Sequence, residues 1–524
     1  MTSSLATTAG ATEMAARQAQ RRASNPADFA WVSANAGAGK THVLVDRLAR
    51  LLIEGTEPGR ILCPTFTKAP PAEMANRLFD RLAVWAVADD ETLGRELAKL
   101  GDRRPNKNQL ARARQLFALA LESPGGLKIH TIHAFCERVL HRFPLEAGVA
   151  PNFTVIDTHR QNELLAQTRT RVLDDAAATP GSPLARATQA LSTLTHDMNL
   201  DKLLGDLVHR REDIARLCDQ HGRFDAALTE LARALEIDPD VTEDDIINTH
   251  LADPGFDAAM AKNVAEILSG GSKTDTDLVA PFTALAATVE TPARLAAHRA
   301  VFLTKDKSKV RARIMTKGRR DANPELAQWI DDERGRAQTL LEQLGRLRTL
   351  AATGAILTVA EAMIDRYQAA KKAHGLLDFD DLVATTRNLL CNAQDTAWVL
   401  YKLDGGIDHI LVDEAQDTSP EQWDIVRYLA EDLLAGESAR PVKRTVFAVG
   451  DEKQSIFSFQ GAAPAMFAKM RDYFGAKARG AQRGWQSVEL EVSFRSTPEI
   501  LAAVDAVFAK PGAATGLTAG GAPP

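Results

Sequence analysis

Eight residues constrain this chain more than any others. Ala34 to Thr41 read ANAGAGKT, with an apolar run, AWVS, before them and a helical pattern, THVLVDRLARLL, after them. Gly37 and Gly39 let the backbone close around an anion, with Asn35, Ala36 and Ala38 supplying neighbouring amides. Lys40 can reach the β and γ phosphates of a nucleotide, and the Thr41 hydroxyl can ligate Mg²⁺. The bland reading is a glycine turn with a chance Lys-Thr. Because strand and helix flank the loop in the right order, a phosphate loop in a parallel α/β sheet is the better reading.

Other short apolar runs also end in polar or glycine turns and lead toward helical patterns: RILCPTFT, LKIHTIH, HILVDEAQD and TVFAVGDEKQ. Buried runs followed by helices predict a doubly wound parallel sheet, with functional groups at the carboxyl ends of its strands. The runs fall in two blocks, residues 28–157 and 375–500. From about 160 to 350 the pattern is helical: Leu203, Leu204, Leu207, Val208, Ile214 and Leu217 recur at helix spacing, as do Leu340, Leu341, Leu344, Leu347 and Leu350. A mostly helical domain inserted into an α/β domain follows. The closing PGAATGLTAGGAPP has the composition of a disordered tail.

Composition narrows the function classes. With 524 residues there is room for about three domains. The net charge is −6, so binding to nucleic acid has to come from local basic patches. Four cysteines, Cys63, Cys136, Cys218 and Cys391, lie far apart, without paired metal spacing, which favours a reducing compartment. No uninterrupted apolar run approaches the roughly 20 residues of a membrane span. The N-terminal segment has no apolar signal region.

In HILVDEAQDTSPEQ an apolar strand ends in two acids. Beside a phosphate loop, Asp413 is assigned to the metal and Glu414 to the attacking water. In VFAVGDEKQSIFSFQGA another buried strand ends at Gly450-Asp451, and Gln454 is placed to touch the γ-phosphate. Phe457 and Phe459 follow at alternate positions, where rings stack on unpaired bases or simply fill a core. Val488, Leu490 and Val492 alternate as a strand that runs into a helix starting near Pro498, with Arg495 at the join.

These motifs, with TFTKAPPAEM, TIHAFCERVLHRF and LLDFDDL between them, resemble in content and order the UvrD/Rep family of superfamily 1 DNA helicases. Their wording is most similar to AddA-type helicase subunits of bacterial helicase–nucleases. The resemblance implies a RecA-like ATPase domain in two parts, 20–157 and 351–500, a helical insertion at 158–350, a leader at 1–19 and a tail at 501–524. It implies ATP and Mg²⁺ as cofactors and 3′-to-5′ stepping on DNA in break repair and recombination. It further implies single-stranded DNA and DNA ends as partners, an AddB-like nuclease subunit, no membrane, and a bacterial cytoplasmic, nucleoid-associated location. Gln20 becomes the adenine-reading glutamine, with Gln18 competing. Thr65, Phe66 and Lys68 match one single-strand contact motif and Thr131 and His133 a second; Phe457 and Phe459 match base-stacking aromatics. Arg495 matches the arginine that carries transition-state charge. The acids of LLDFDDL are expected to be structural, at the return from the insertion.

The sequence also departs from the family. Pro64, Pro70 and Pro71 stand where apolar residues or alanine are usual. Pro70 and Pro71 suit a helix start, whereas Pro64 removes an amide from an interior strand, so local distortion is expected there. Ala38 replaces a common serine in a loop that works through backbone amides. Only 29 residues follow Arg495, too few for the second RecA-like domain of the family. The expectation is the front half of a helicase: a truncated product, a split gene or an excised piece. The alternative to an ATP-driven motor is thus a nucleotide- and DNA-binding module that does not unwind alone. The run TKDKSKVRARIMTKGRR, residues 304–320, holds eight basic residues and one acid, and is either a solvated loop or a grip on DNA phosphates.

Overall fold

The computed structural model describes residues 14–65, 69–101, 104–123, 126–194, 197–221, 224–251, 256–288, 290–391, 398–399, 402, 407–434, 443–456, 461–510 and 512–513. Among them the strands are β1 (Phe29–Ala34), β2 (Ile61–Thr65), β3 (Lys128–Thr131), β4 (Thr154–Val155), β5 (Leu376–Leu377), β6 (His409–Val412), β7 (Thr445–Gly450) and β8 (Trp485–Leu490).

Six of these make one sheet in the order β3-β2-β6-β7-β1-β8, and every neighbouring pair is parallel. Parallel strands need crossovers, and the crossover helices cover both faces. That is why β2, β6 and β7 are buried at every residue. Alternate residues of β1 serve opposite faces. Phe29 and Trp31 enter one apolar cluster, Ala30 and Val32 the other. Trp31 anchors its side, with ring centroids 5.7 Å from Trp423, 4.8 Å from Phe467 and 6.3 Å from Phe474. Because β6, β7 and β1 are adjacent and parallel, the segments after Val412, Gly450 and Ala34 emerge at one edge.

Two features of this sheet differ from the sequence pattern. β8 ends at Leu490 and does not reach Val492, since the Leu490 carbonyl accepts from Asn35 N at 3.1 Å and the chain then turns to follow the glycine loop. At Pro64 the distortion is one-sided. Pairing with β3 continues through Pro64↔His130 and Thr65↔Thr131, but pairing with β6 stops at Leu62↔Ile410. The Pro64 carbonyl accepts from Asp413 N at 3.2 Å, so this residue faces β6, the side on which its amide is missing.

The chain divides into two compact units, Met1–Asp157 with His374–Pro524, and Thr158–Ala373. The expected bounds return to the α/β domain at 351, just after the leucine pattern stops at Leu350. Instead one helix, Pro324–His374, runs through that position. Its later turns bury Ala355, Val359, Met363 and Tyr367, every fourth residue, a one-sided pattern that leucine counting overlooks. The helix ends where Gly375 takes φ +61°, a left-handed stop that glycine adopts without strain. It includes an 18-residue stretch apolar enough, by length and composition, to cross a membrane. Its buried face is that of a helix packing on protein.

Across the junction, β4 pairs with β5 through Thr154↔Leu376 and Val155↔Leu377. The acids of LLDFDDL cap the next helix, Phe379–Cys391. Asp381 N donates to Asp378 Oδ1 at 2.8 Å, and Asp378 N to Asp381 Oδ2 at 3.0 Å.

Candidate functional site

The loop after β1 is built by two glycines in left-handed geometry, Gly37 at φ 78° and Gly39 at φ 91°. Gly39 starts the helix Lys40–Ile53 without a side-chain cap, so the first helical amides are turned toward the loop. Ala38 N bonds Asn35 O at 3.1 Å, and Phe494 N bonds Gly37 O at 2.9 Å. Ala36 is exposed, Asn35 half-buried and Ala38 buried. Thr41 occupies the first turn of the helix and is half-buried.

Gln20, on a helix over residues 14–23, is buried under this loop and donates from Nε2 to the Ala38 carbonyl at 3.1 Å; Gln18 is exposed. A fully buried arginine locks that segment in place. Arg47 donates to the carbonyls of Ala23 (3.2 Å), Asn25 (2.7 Å) and Asp28 (2.6 Å) and to Thr445 Oγ1 (3.0 Å). Burial lowers its pKa to about 9, the cost of holding a guanidinium in the core.

The two acids stand at the end of β6. Asp413 is 3% exposed. Burial, then the neighbouring Glu414 charge, push its carboxyl up to about 7, while its Oδ1 accepts from Glu414 N at 3.0 Å. Glu414 itself adopts φ 47°, ψ 47°, a left-handed conformation uncommon outside glycine and asparagine. Its Oε2 lies 3.1 Å from Lys40 Nζ, and Lys40 also donates to Gln454 Oε1 at 3.1 Å. Lys40, Glu414 and Gln454, 374 and 414 positions apart in sequence, therefore meet at one ammonium.

Arg495 is exposed, and its Cβ lies close against the loop. A Cβ at Gly37 would sit 2.6 Å from Arg495 Cβ and 2.6 Å from Ser493 Oγ. The Asp413 carboxyl and the Thr41 hydroxyl are hard oxygen donors of the kind a divalent cation takes, and a cation's charge would favour the ionised Asp413 that burial disfavours.

Of the residues matched to DNA contacts, Thr65, Thr131 and His133 lie on the β2–β3 side of the sheet. Thr65 is buried at the end of β2 and paired with Thr131. The Thr131 hydroxyl accepts from Ala134 N at 3.2 Å and so caps the helix Ile132–Arg142. His133 packs edge-on to Phe379, centroids 5.5 Å apart at 78°. Phe66, Lys68, Phe457 and Phe459 lie outside the described residues.

Sequence reasoning missed Gln416, Asp451 and Lys453. Gln416 donates to Glu414 Oε2, Asp451 Oδ2 accepts from Gln454 Nε2 at 2.6 Å, and Lys453 Nζ reaches Asn35 Oδ1 in the loop at 3.3 Å. All three lie inside the quoted motifs, but no spacing rule singled them out. The signal was polar residues set at the ends of strands buried throughout.

A family model described as the UvrD/REP helicase N-terminal domain matches residues 15–475. Among curated relatives, an ATP-dependent helicase/nuclease subunit from Desulforudis audaxviator (strain MP104C) is 29% identical over 521 residues, covering 91% of this chain. Proteins of the same description from Carboxydothermus hydrogenoformans (26% over 506 residues) and Bacillus cereus strain G9842 (25% over 506 residues) also match over 91% of this chain. This chain spans 38% of the length of each of these relatives.

Proposed function

The chain belongs to the UvrD/Rep helicase family, and from that premise we propose that it forms the ATP-hydrolysing and single-strand-binding part of a DNA helicase. The observation that carries this reading is the convergence of Lys40, Glu414 and Gln454 beside the glycine loop. Lys40 binds the β and γ phosphates together with amides of residues 35–41, and Gln20 supports the loop near the adenine. Thr41 and Asp413 would hold Mg²⁺, which when bound would neutralise charge at the phosphates. Glu414 orients the attacking water and accepts its proton. Gln454 reports the γ-phosphate to the segment that follows it, and Arg495 stabilises charge on the transferred group.

DNA runs past Thr65, Phe66, Lys68, Thr131, His133, Phe457 and Phe459, and stepping is 3′ to 5′. In the second unit, the exposed Lys305, Lys307 and Lys309 add phosphate contacts. The relatives are described as ATP-dependent helicase/nuclease subunits, and the proposal extends to work at DNA ends in break repair and recombination, with an AddB-like nuclease partner, in the bacterial cytoplasm on the nucleoid.

The test is ATP turnover by the purified chain with and without single-stranded DNA. Turnover raised by DNA and lost in Lys40→Ala is the expected result. Nucleotide binding with no turnover would favour the binding-module reading, and a rate indifferent to Lys40→Ala would sink the ATPase assignment. Unwinding of 3′-tailed but not 5′-tailed duplex tests the polarity.

A further inference from the structure

Gln416 lies in the short turn Ala415–Asp417 after β6 and is 1% exposed. Its side-chain amide makes three hydrogen bonds. Nε2 donates to Glu414 Oε2 at 2.7 Å and to Asp417 Oδ2 at 3.2 Å, while Oε1 accepts from Asp451 N at 2.9 Å. The orientation of the amide is fixed by its partners, because a backbone N–H only donates and ionised carboxylates only accept. One buried side chain therefore ties the end of β6 to the end of β7.

The seat for this side chain is made by Gly450. A Cβ there would lie 2.6 Å from Gln416 Oε1, 3.0 Å from the Phe467 ring and 3.1 Å from Gln416 N. Gly450 is the last residue of β7 and does not take a positive φ. What it supplies is space, not a special backbone conformation.

We propose that Gln416 is a positioning residue for Glu414, admitted by the missing side chain at Gly450; the inference rests on the ATPase reading above. Two groups donate to Glu414 Oε2: Lys40 and Gln416. A phosphate that draws Lys40 away leaves Gln416 to hold the carboxylate in its left-handed setting. The same amide anchors Asp451 N, and Asp451 Oδ2 in turn holds Gln454 at 2.6 Å. Gln416 is thus the joint of a frame whose two arms, Glu414 and Gln454, both reach Lys40.

The test compares Gln416→Met, Gly450→Ala, Gln416→Ala and the double variant Gln416→Ala/Gly450→Ala in two measurements. These are kcat for DNA-stimulated ATP hydrolysis and Kd for a fluorescent ADP with Mg²⁺. Gln416→Met keeps volume and loses every bond, so kcat should fall about 10- to 100-fold with Kd within about 3-fold. Gly450→Ala should do the same. In the Gln416→Ala background the closest clash, 2.6 Å to Oε1, is gone and only the Phe467 ring at 3.0 Å and the amide nitrogen of residue 416 at 3.1 Å remain, so Gly450→Ala should cost less than it does in the wild type, a non-additivity that links the two positions. Wild-type kcat in Gln416→Met, a Kd lost in step with kcat, or full additivity would each overturn the proposal. A wild-type chain that binds nucleotide but hydrolyses none would instead overturn the ATPase reading on which it rests.

Discussion

The Lys40 ammonium lies 3.1 Å from the Glu414 carboxylate, and the pair is largely shielded, with the two side chains 11% and 33% exposed. If a nucleotide phosphate is held at the glycine loop as proposed, it and Glu414 compete for one cation, and its binding separates the pair and leaves the carboxylate available to a water.

This predicts different signatures for the two partners. Glu414→Gln keeps the shape and a hydrogen bond to Lys40 but cannot take a proton, so turnover should fall about 10²- to 10⁴-fold with nucleotide binding retained. Lys40→Ala should lose both turnover and the thermal stabilisation given by Mg–ADP. Melting curves with and without nucleotide, beside steady-state ATPase assays, read the difference. Equal loss of nucleotide stabilisation in both variants would contradict the competition.

Gly37 and Arg495 separate structure from chemistry in a similar way. Alanine at 37 would combine a left-handed φ of 78° with contacts of 2.6 Å to Ser493 and Arg495, and backbone strain alone costs about 1–2 kcal/mol. Gly37→Ala should lower the melting temperature and weaken nucleotide binding together. Arg495→Ala removes an exposed guanidinium, so melting temperature and ADP affinity should stay at wild-type values. Turnover should fall by up to about 10³-fold if the arginine carries transition-state charge. Unchanged turnover would remove it from the machinery.

Asp413 gives a pH dependence with a definite sign. Its folded pKa is raised from 3.8 to about 7 by burial and by the Glu414 charge. A protonated carboxyl is thus favoured in the fold. The stability it contributes is fully present below the unfolded value and declines as pH rises through the window from about 4 to about 7. A cation binding there must displace the proton. Mg²⁺-dependent nucleotide affinity should therefore climb between pH 6 and 8, and Asp413→Asn should flatten the climb while weakening binding overall. Isothermal titration in buffers of different ionisation enthalpy would show proton release in the wild type alone; equal proton release in Asp413→Asn would exclude this residue as the source.

Much of this geometry was legible in the sequence, for identifiable reasons. The strand runs around Trp31, Leu411 and Phe447 are apolar throughout, as strands buried on both faces must be, and each leads into a segment that carries one of Lys40, Glu414 and Gln454. The glycine loop announced itself because left-handed positions demand glycine. Three things were hidden. The end of the inserted unit was masked by the change from leucine to alanine along the helix Pro324–His374, which continues unbroken. The side of the sheet on which Pro64 breaks pairing depends on the direction its carbonyl faces, which composition does not encode. Gln416 was invisible because its role depends on Gly450, 34 residues later in the chain but across one strand pair in space.

The basic run in the second unit gives a further prediction. Its eight cations are not equivalent. Arg311 donates to the Ala300 carbonyl at 3.3 Å, Arg319 to the Ile267 carbonyl, and Arg320 grips Asp331 with bonds of 3.2 and 2.5 Å, so these three hold the fold together. The lone acid, Asp306, is used within its own turn, accepting from the hydroxyls of Thr304 at 2.5 Å and Ser308 at 2.7 Å. A bridge between Leu303 and Val310 closes that turn, and Lys307 adopts φ 57° within it. The other five are exposed: Lys305, Lys307 and Lys309 on a short hairpin whose one acid is already engaged, and Arg313 and Lys317 beyond it. If the three hairpin lysines neutralise phosphates of single-stranded DNA, each should contribute about 0.7 to the slope of log K against log salt. The triple change of Lys305, Lys307 and Lys309 to Ala should lower that slope by about 2 and weaken binding most at low salt, with the melting temperature unchanged. Fluorescence anisotropy of a labelled oligonucleotide across a salt series reads both quantities, and an unchanged slope would return these lysines to the role of a solvated surface.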